Sequence, residues 1–149
     1  NLLSRMGFKN LYGTEINSYA IEISHEVNKG LPIYIIKASA FDIPFKDNFF
    51  DLVFTSGVLI HIHPKDINNA MREIHRCSKR YIWGFEYFSN RGYEEVKYRC
   101  KSGLLWKTDF KGVFLSTFPD LRLSKKKLYK YINESHLIDQ MYLLEKEQK

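Results

Sequence analysis

The chain has 149 residues, 44% of them hydrophobic and 27% charged, which suits one globular domain with a real core. This composition excludes a disordered or membrane-embedded protein, and no apolar stretch approaches membrane-spanning length. The net charge is +6, but Lys and Arg are spread along the chain apart from a run at 125–127. A solvated basic surface is therefore favoured, and neither nucleic acid nor a membrane is expected as a partner. Cys77 and Cys100 lie in no paired motif, which suits the reducing cytoplasm.

The first part of the chain predicts alternating strands and helices. Residues 1–7 are typical of a helix end closed by Gly7, and Ser18 is the expected N-cap of a helix that Gly30 stops. In chain order we expect a strand at 11–16, a helix at 18–29, a strand at 32–37, a loop at 42–48, a strand around 52–54, a helix at 66–79 and a strand at 80–87. This order implies a parallel sheet with right-handed crossovers.

The last part of the chain predicts a different arrangement. A helix at 111–118 and a turn at Pro119 and Asp120 precede two strands, 121–131 and 138–145, connected at Asn133 and Glu134. Back-to-back strands indicate an antiparallel hairpin at the sheet edge. The predicted fold is therefore α/β, a mostly parallel sheet with a C-terminal antiparallel hairpin in a single domain.

The segment 50–62 carries the most information about function. Leu52, Val53 and Phe54 form the continuous apolar run of a strand covered on both faces. Ser56 and Gly57 then leave backbone N–H groups and a hydroxyl open at the carboxyl end of the strand, where open α/β sheets bind ligands.

Glu15 is the second candidate in a binding site. A carboxylate at the end of a parallel strand can accept hydrogen bonds from both hydroxyls of a ribose. The alternative is an exposed acid at a strand end, and the surrounding sequence Gly13 to Asn17 favours the binding role.

Histidines and late aromatic residues provide candidates for chemistry on an acceptor. His61 follows the 52–54 strand and could act as a general base, although packing against the start of the next helix is an alternative. His61, His63 and His75 lack the spacings and Cys partners of zinc sites, so no metal is expected. Trp106 and Lys107 could contact an acceptor, or the aromatic residues there could cap the core.

The chain resembles the class I S-adenosylmethionine-dependent methyltransferases. Within them it is similar to the methylases associated with pseudaminic acid biosynthesis, a bacterial pathway to nonulosonic sugars. The segments that carry the resemblance are 1–3, 12–17, 41–45, 56–62, 105–110 and 139–146.

The resemblance implies a Rossmann-like sheet, S-adenosylmethionine as the cofactor, and methyl transfer to a small polar acceptor, with a nonulosonic-sugar-linked one as the candidate. It implies cofactor contacts by Glu15 at the ribose, by Ser39, Ala40 and Phe41 at the adenine, and by Ser56 and Gly57 at the methionine moiety, with Ile16 as a further cofactor contact. The chain has no Asn/Asp-Pro-Pro-Tyr/Phe sequence, which argues against adenine or glutamine methylation.

One family feature is missing from this sequence. The glycine-rich loop between the first strand and first helix of the family would lie upstream of Asn1, and no Gly-x-Gly occurs anywhere in the chain. We therefore expect residues 1–149 to be an N-terminally truncated methyltransferase domain that lacks the first strand and most of the first helix. The alternative is a catalytically inactive remnant that serves as a binding or scaffold module.

Overall fold

The computed structural model describes residues 2–132 and 137–147. The predicted connection at Asn133 and Glu134 lies outside the described residues. The helices are α1 (Leu2–Arg5), α2 (Ser18–Val27), α3 (Ile67–Cys77) and α4 (Phe110–Thr117), with a short 3₁₀ helix at Leu59–His61. The strands are β1 (Leu11–Glu15), β2 (Ile33–Lys37), β3 (Phe50–Ser56), β4 (Ser78–Tyr87), β5 (Glu94–Glu95), β6 (Trp106–Lys107), β7 (Leu121–Lys130) and β8 (Ile138–Lys146).

The chain divides into two compact units, Asn1–Pro44 and Phe45–Lys149. The expectation of a single methyltransferase domain stays a prediction. No helix in the part of the chain that the structure describes is both long enough and apolar enough to cross a membrane.

The first unit is a β-α-β arrangement in which β1 pairs in parallel with β2. Asn17, and not Ser18 as predicted, caps α2, because its Oδ1 accepts the N–H groups of Tyr19 and Ala20. The Ser18 hydroxyl instead accepts a hydrogen bond from the Lys37 ammonium at 2.7 Å.

The second unit contains a four-stranded sheet in the order β3-β4-β8-β7. β3 and β4 are parallel, while β8 pairs antiparallel with both β4 and β7. The predicted parallel arrangement and C-terminal antiparallel hairpin are both confirmed. β5 and β6 form a separate small antiparallel pair.

One face of α3 supplies much of the core of the second unit. Ile67, Ala70, Met71 and Ile74 are buried, as their helical spacing predicts, and Cys77 completes the stripe. Further large buried side chains come from the sheet, from α4 and from the 3₁₀ helix, among them Ile82, Tyr142, Leu144, Phe110, Phe114 and Leu59.

The prediction that both faces of β3 are covered is wrong. Leu52 is 45% exposed and Phe54 is 47% exposed, whereas Val53 is half-buried. β3 is the end strand of its sheet, and successive side chains of a strand point to opposite faces. The face of β3 that carries Leu52 and Phe54 is therefore left largely open by the described residues.

Candidate cofactor and acceptor sites

The first candidate site lies at the carboxyl end of β1. One carboxylate oxygen of Glu15, Oε1, accepts the backbone N–H groups of Ile16 and Asn17 at 2.8 Å each. These bonds fix the carboxylate against the turn that leads into α2. The side chain that the sequence singled out is thus oriented by its own local backbone.

The turn after β2 lies at the same edge of the two-stranded sheet. Lys37 is the register partner of Glu15, and the Ala38 N–H donates to the Glu15 carbonyl at 3.1 Å. In the turn, the Ser39 hydroxyl accepts the Phe41 N–H at 3.1 Å. Ala40 is half-buried, and Phe41 leaves 48% of its surface open. Glu15, Ile16, Ser39, Ala40 and Phe41 therefore share one edge.

Ser56 is the last residue of β3, in the second unit, and Gly57 follows it. Gly57 has a φ of +63°, a conformation that favours glycine, and its N–H donates to the Phe85 carbonyl at 2.9 Å. Both residues line a cavity of about 180 Å³. The full lining is Ser56, Gly57, Ile60, Phe85, Glu86, Tyr87, Tyr131 and Asp139.

Glu86 holds the turn that follows Gly57. Its side chain is 2% exposed, with Oε1 accepting the Val58 N–H at 3.3 Å and Oε2 accepting the Ile60 N–H at 3.4 Å. Burial raises the pKa of Glu86, and the hydrogen bonds that its carboxylate accepts oppose this rise. Sequence reasoning missed this residue, although an acid inside the apolar run of β4 was a usable signal.

Asp139 and Tyr131 form a second polar pair on the same cavity. Asp139 is 6% exposed, and its Oδ2 accepts the Tyr131 hydroxyl at 2.8 Å. This hydrogen bond to the carboxylate raises the pKa of Tyr131 well above its ordinary value. The pair joins the end of one strand to the start of the next, a contact that the sequence did not indicate.

His61 ends the 3₁₀ helix after β3. Its Nδ1 lies 2.9 Å from the Leu104 carbonyl oxygen, which can only accept, so Nδ1 carries a proton. In the neutral ring the lone pair is then on Nε2. The exposed imidazole packs edge-on against Tyr98, with ring centres 5.4 Å apart. Nε2 of the neutral His61 ring can therefore accept a proton.

Trp106 and Lys107 lie on β6 and do not line the 180 Å³ cavity. The Trp106 ring is 8% exposed and contacts His63 edge-on at a centroid distance of 5.0 Å. The Lys107 ammonium lies 3.7 Å from a Glu94 oxygen. Their contact with an acceptor stays a prediction. Among the described residues, no group of three His, Cys, Asp or Glu side chains could hold a metal ion.

Parallel strands joined through helices define a Rossmann-like α/β protein. Glu15 at the end of β1 and Gly57 after β3 lie where such folds bind ligands. A family model described as a methyltransferase domain matches residues 1–81, and the chain belongs to that family. This membership confirms the predicted class, a class I methyltransferase, and its cofactor, S-adenosylmethionine.

Solved structures share the fold at low sequence identity. A methyltransferase from Methanosarcina mazei has 17% identity and a TM-score of 0.78, with 99% of this chain and 86% of that chain covered. The 1,6-didemethyltoxoflavin-N1-methyltransferase from Burkholderia thailandensis, with bound S-adenosylhomocysteine, has 12% identity, a TM-score of 0.66, and coverage of 99% and 75%. The cyclase SpnF has 14% identity, a TM-score of 0.78, and coverage of 99% and 70%. The search among curated proteins found no significant match.

Proposed function

We propose that this protein transfers the methyl group of S-adenosylmethionine to a small polar acceptor in the reducing cytosol. The observation that carries the proposal is the Glu15 carboxylate, held by two backbone N–H groups at the carboxyl end of β1 in a chain of this family. When bound, the cofactor supplies an electrophilic methyl group, so the protein contributes mainly orientation and exclusion of water.

Each unit, taken by itself, carries residues that suit one part of this cofactor. Glu15 would accept hydrogen bonds from the ribose hydroxyls, with the exposed apolar side chain of Ile16 as a further cofactor contact, and the exposed Phe41 ring beside Ser39 and Ala40 would hold the adenine. At Gly57 an added Cβ would meet nothing closer than 4.0 Å, so the backbone of this turn is open to the methionine part. Ser56 precedes it on the same turn.

The acceptor is the finer part of the proposal. The resemblance of segments 105–110 and 139–146 to the pseudaminic acid subgroup supports a nonulosonic-sugar-linked acceptor. His61 is the proposed general base because its Nε2 lone pair is free to take a proton. Trp106 and Lys107 are the residues that we propose to contact the acceptor.

Calorimetric titration with S-adenosylhomocysteine tests the cofactor assignment. We expect binding, and we expect Glu15→Gln to weaken it about tenfold or more, because hydrogen bonds to an ionised group contribute about 1.5–3 kcal/mol. Glu22→Gln is the matched control, since Glu22 is an exposed acid on the neighbouring α2. An unchanged affinity in Glu15→Gln would refute the ribose role.

A binding or scaffold module is the second candidate function. A folded protein that binds no S-adenosylhomocysteine would support this module and defeat the enzyme.

A further inference from the structure

A second cavity, of about 320 Å³, lies in the second unit between the loop after β4 and helix α4. Its volume is at the small end of the range for ligand sites. Five of the eight described residues that line it carry a hydroxyl, an amide or a carboxylate, namely Ser89, Asn90, Thr108, Asp109 and Ser116. The other three are two glycines and a valine. The cavity therefore suits a small polar ligand.

Thr108 supplies a polar group that the protein leaves without a partner. The residue is 4% exposed and lines the cavity, and its hydroxyl forms no hydrogen bond with the described residues. Burying a hydroxyl costs free energy unless it is hydrogen-bonded. A ligand in the cavity can supply that bond, either as the donor or as the acceptor.

The charges of the lining favour a neutral ligand. Among the described residues that line the cavity none is Lys, Arg or His, so an anion would find no cationic partner there. The lining includes the Asp109 carboxylate, but the Lys111 ammonium lies 2.9 Å from its Oδ2 and balances its charge. A cation therefore gains little from Asp109.

The polar groups of the lining both donate and accept hydrogen bonds. The exposed Asn90 amide has two N–H donors and an acceptor oxygen, and the Thr108 hydroxyl can do either. Asp109 adds Oδ1, a buried oxygen to which the described residues donate no hydrogen bond. Hydroxyl groups also donate and accept, so a ligand that carries several of them matches this lining. An apolar ligand would leave the same groups unpaired.

This cavity lies close to the 180 Å³ cavity at Ser56 and Gly57. Tyr87 lines that first cavity and Ser89 lines the second, and two residues of chain span at most about 7 Å. Thr108 also directly follows Lys107, one of the residues that we propose to contact the acceptor. A ligand in the second cavity would therefore lie near the turn that we propose for the methionine part of the cofactor.

We propose that this cavity binds a neutral, hydroxyl-rich ligand of the size of one sugar ring, with Thr108 and Asn90 as its hydrogen-bonding partners. That this ligand is part of the methyl acceptor rests on the proposed function. The binding itself follows from the cavity and can be tested without cofactor.

Neutral hexoses and their relatives test the class of ligand. Glucose, galactose and mannose present the same hydroxylated ring in three configurations, and tetrahydropyran is the ring without hydroxyls. In proton–nitrogen correlation spectra we expect at least one hexose to shift the amides of Asn90, Thr108 and Gly112 and to bind at least about tenfold more tightly than tetrahydropyran. The uronate of that hexose should bind more weakly. No shift with any of the three hexoses, or equal affinity for tetrahydropyran or for the uronate, would overturn the proposal.

Two variants and one control locate the ligand. Thr108→Val keeps the shape of the side chain and should lower hexose affinity about three- to tenfold, since it removes one hydrogen bond. Asn90→Ala, at an exposed position, should lower it by a similar factor. Thr14→Val, at an exposed threonine on β1 in the first unit, should leave it unchanged. Unchanged affinity in both cavity variants would contradict the assignment.

The ribose of the cofactor is the other possible source of neighbouring hydroxyls. Calorimetry with S-adenosylhomocysteine, which carries this ribose, separates the two. If Thr108→Val weakens S-adenosylhomocysteine as strongly as it weakens the hexose, the cavity holds the cofactor and the inference is overturned. If S-adenosylhomocysteine binds but no hexose does, the inference fails and the proposed function stands. If a hexose alone binds, the sugar site stands without the enzyme.

Discussion

His61 shows how one backbone contact decides what a side chain can do. The hydrogen bond from Nδ1 to the Leu104 carbonyl fixes the tautomer of the neutral ring and leaves Nε2 as the acceptor. The same contact connects the turn after β3 with the segment that leads into β6. Packing and base chemistry are therefore compatible at this residue, although the sequence offered them as alternatives.

Replacement of His61 by glutamine tests the base role. The glutamine amide can still donate to the Leu104 carbonyl, but it cannot take a proton, so turnover should fall about 10²–10⁴-fold. S-adenosylhomocysteine release with an acceptor that the wild type methylates measures turnover, and calorimetry should find cofactor affinity unchanged. His25→Gln is the matched control, because His25 is also exposed and its ring is also hydrogen-bonded to a backbone carbonyl, that of Ile35 at 3.0 Å. Unchanged turnover in His61→Gln would leave His61 a packing role only.

At the scale of elements, the pairing of β4 with β8 depends on a residue without a side chain. Gly84 is the register partner of Tyr142, and a Cβ built on Gly84 would overlap the Tyr142 ring. The ring is fully buried, so it has no space into which to retreat. Glycine is required here by close approach, and its backbone conformation is an ordinary one.

Gly84→Ala should destabilise the second unit by about 1–3 kcal/mol through overpacking. Urea unfolding followed by the fluorescence of Trp83 and Trp106 measures the loss. In a Tyr142→Leu background the same substitution should cost less, because the smaller side chain relieves the overlap. Equal costs in the two backgrounds would show that the ring is not the obstacle.

The elements that the sequence predicted well are those with a local periodic signal. The buried stripe of α3, from Ile67 to Ile74, follows directly from helical spacing. The N-cap of α2 is Asn17, one residue before the predicted Ser18. Both residue types are good N-caps, so the backbone geometry decides which of them caps the helix. The exposure of Phe54 could not be predicted, since it depends on which elements pack over that face of the sheet.

The residues of the candidate sites also fall into those that the sequence predicts and those that it does not. Glu15 and Gly57 are predicted as site residues because strand ends carry ligands in this fold class. The contact between Asp139 and Tyr131 depends on the register of the β7–β8 pair, in which Tyr129 faces Asp139, and no local pattern encodes that register. Pairing of polar side chains that are distant in sequence therefore could be seen only in the three-dimensional structure.

At the scale of the whole molecule, burial is unevenly divided between the two units. α2 contains no buried residue, and the strands β1 and β2 contain only half-buried and exposed positions. β4 and β8, in contrast, bury Ile82, Tyr142 and Leu144. Because buried apolar area is the main source of stability, the first unit should open far more readily than the second.

Hydrogen exchange measured by mass spectrometry tests this difference together with cofactor binding. In the free protein, the amides of β1 and β2 should exchange at least about tenfold faster than those of β4 and β8. Saturation with S-adenosylhomocysteine at about 100 times its dissociation constant should slow exchange in β1 and β2 by up to about a hundredfold, since a ligand stabilises the state that it binds by about 2.7 kcal/mol at that excess. Glu15→Gln should lose much of this protection at the same ligand concentration. Uniform exchange in the free protein would contradict the uneven burial. If the ligand leaves exchange in β1 and β2 unchanged, the first unit takes no part in cofactor binding, even if the second unit binds the ligand.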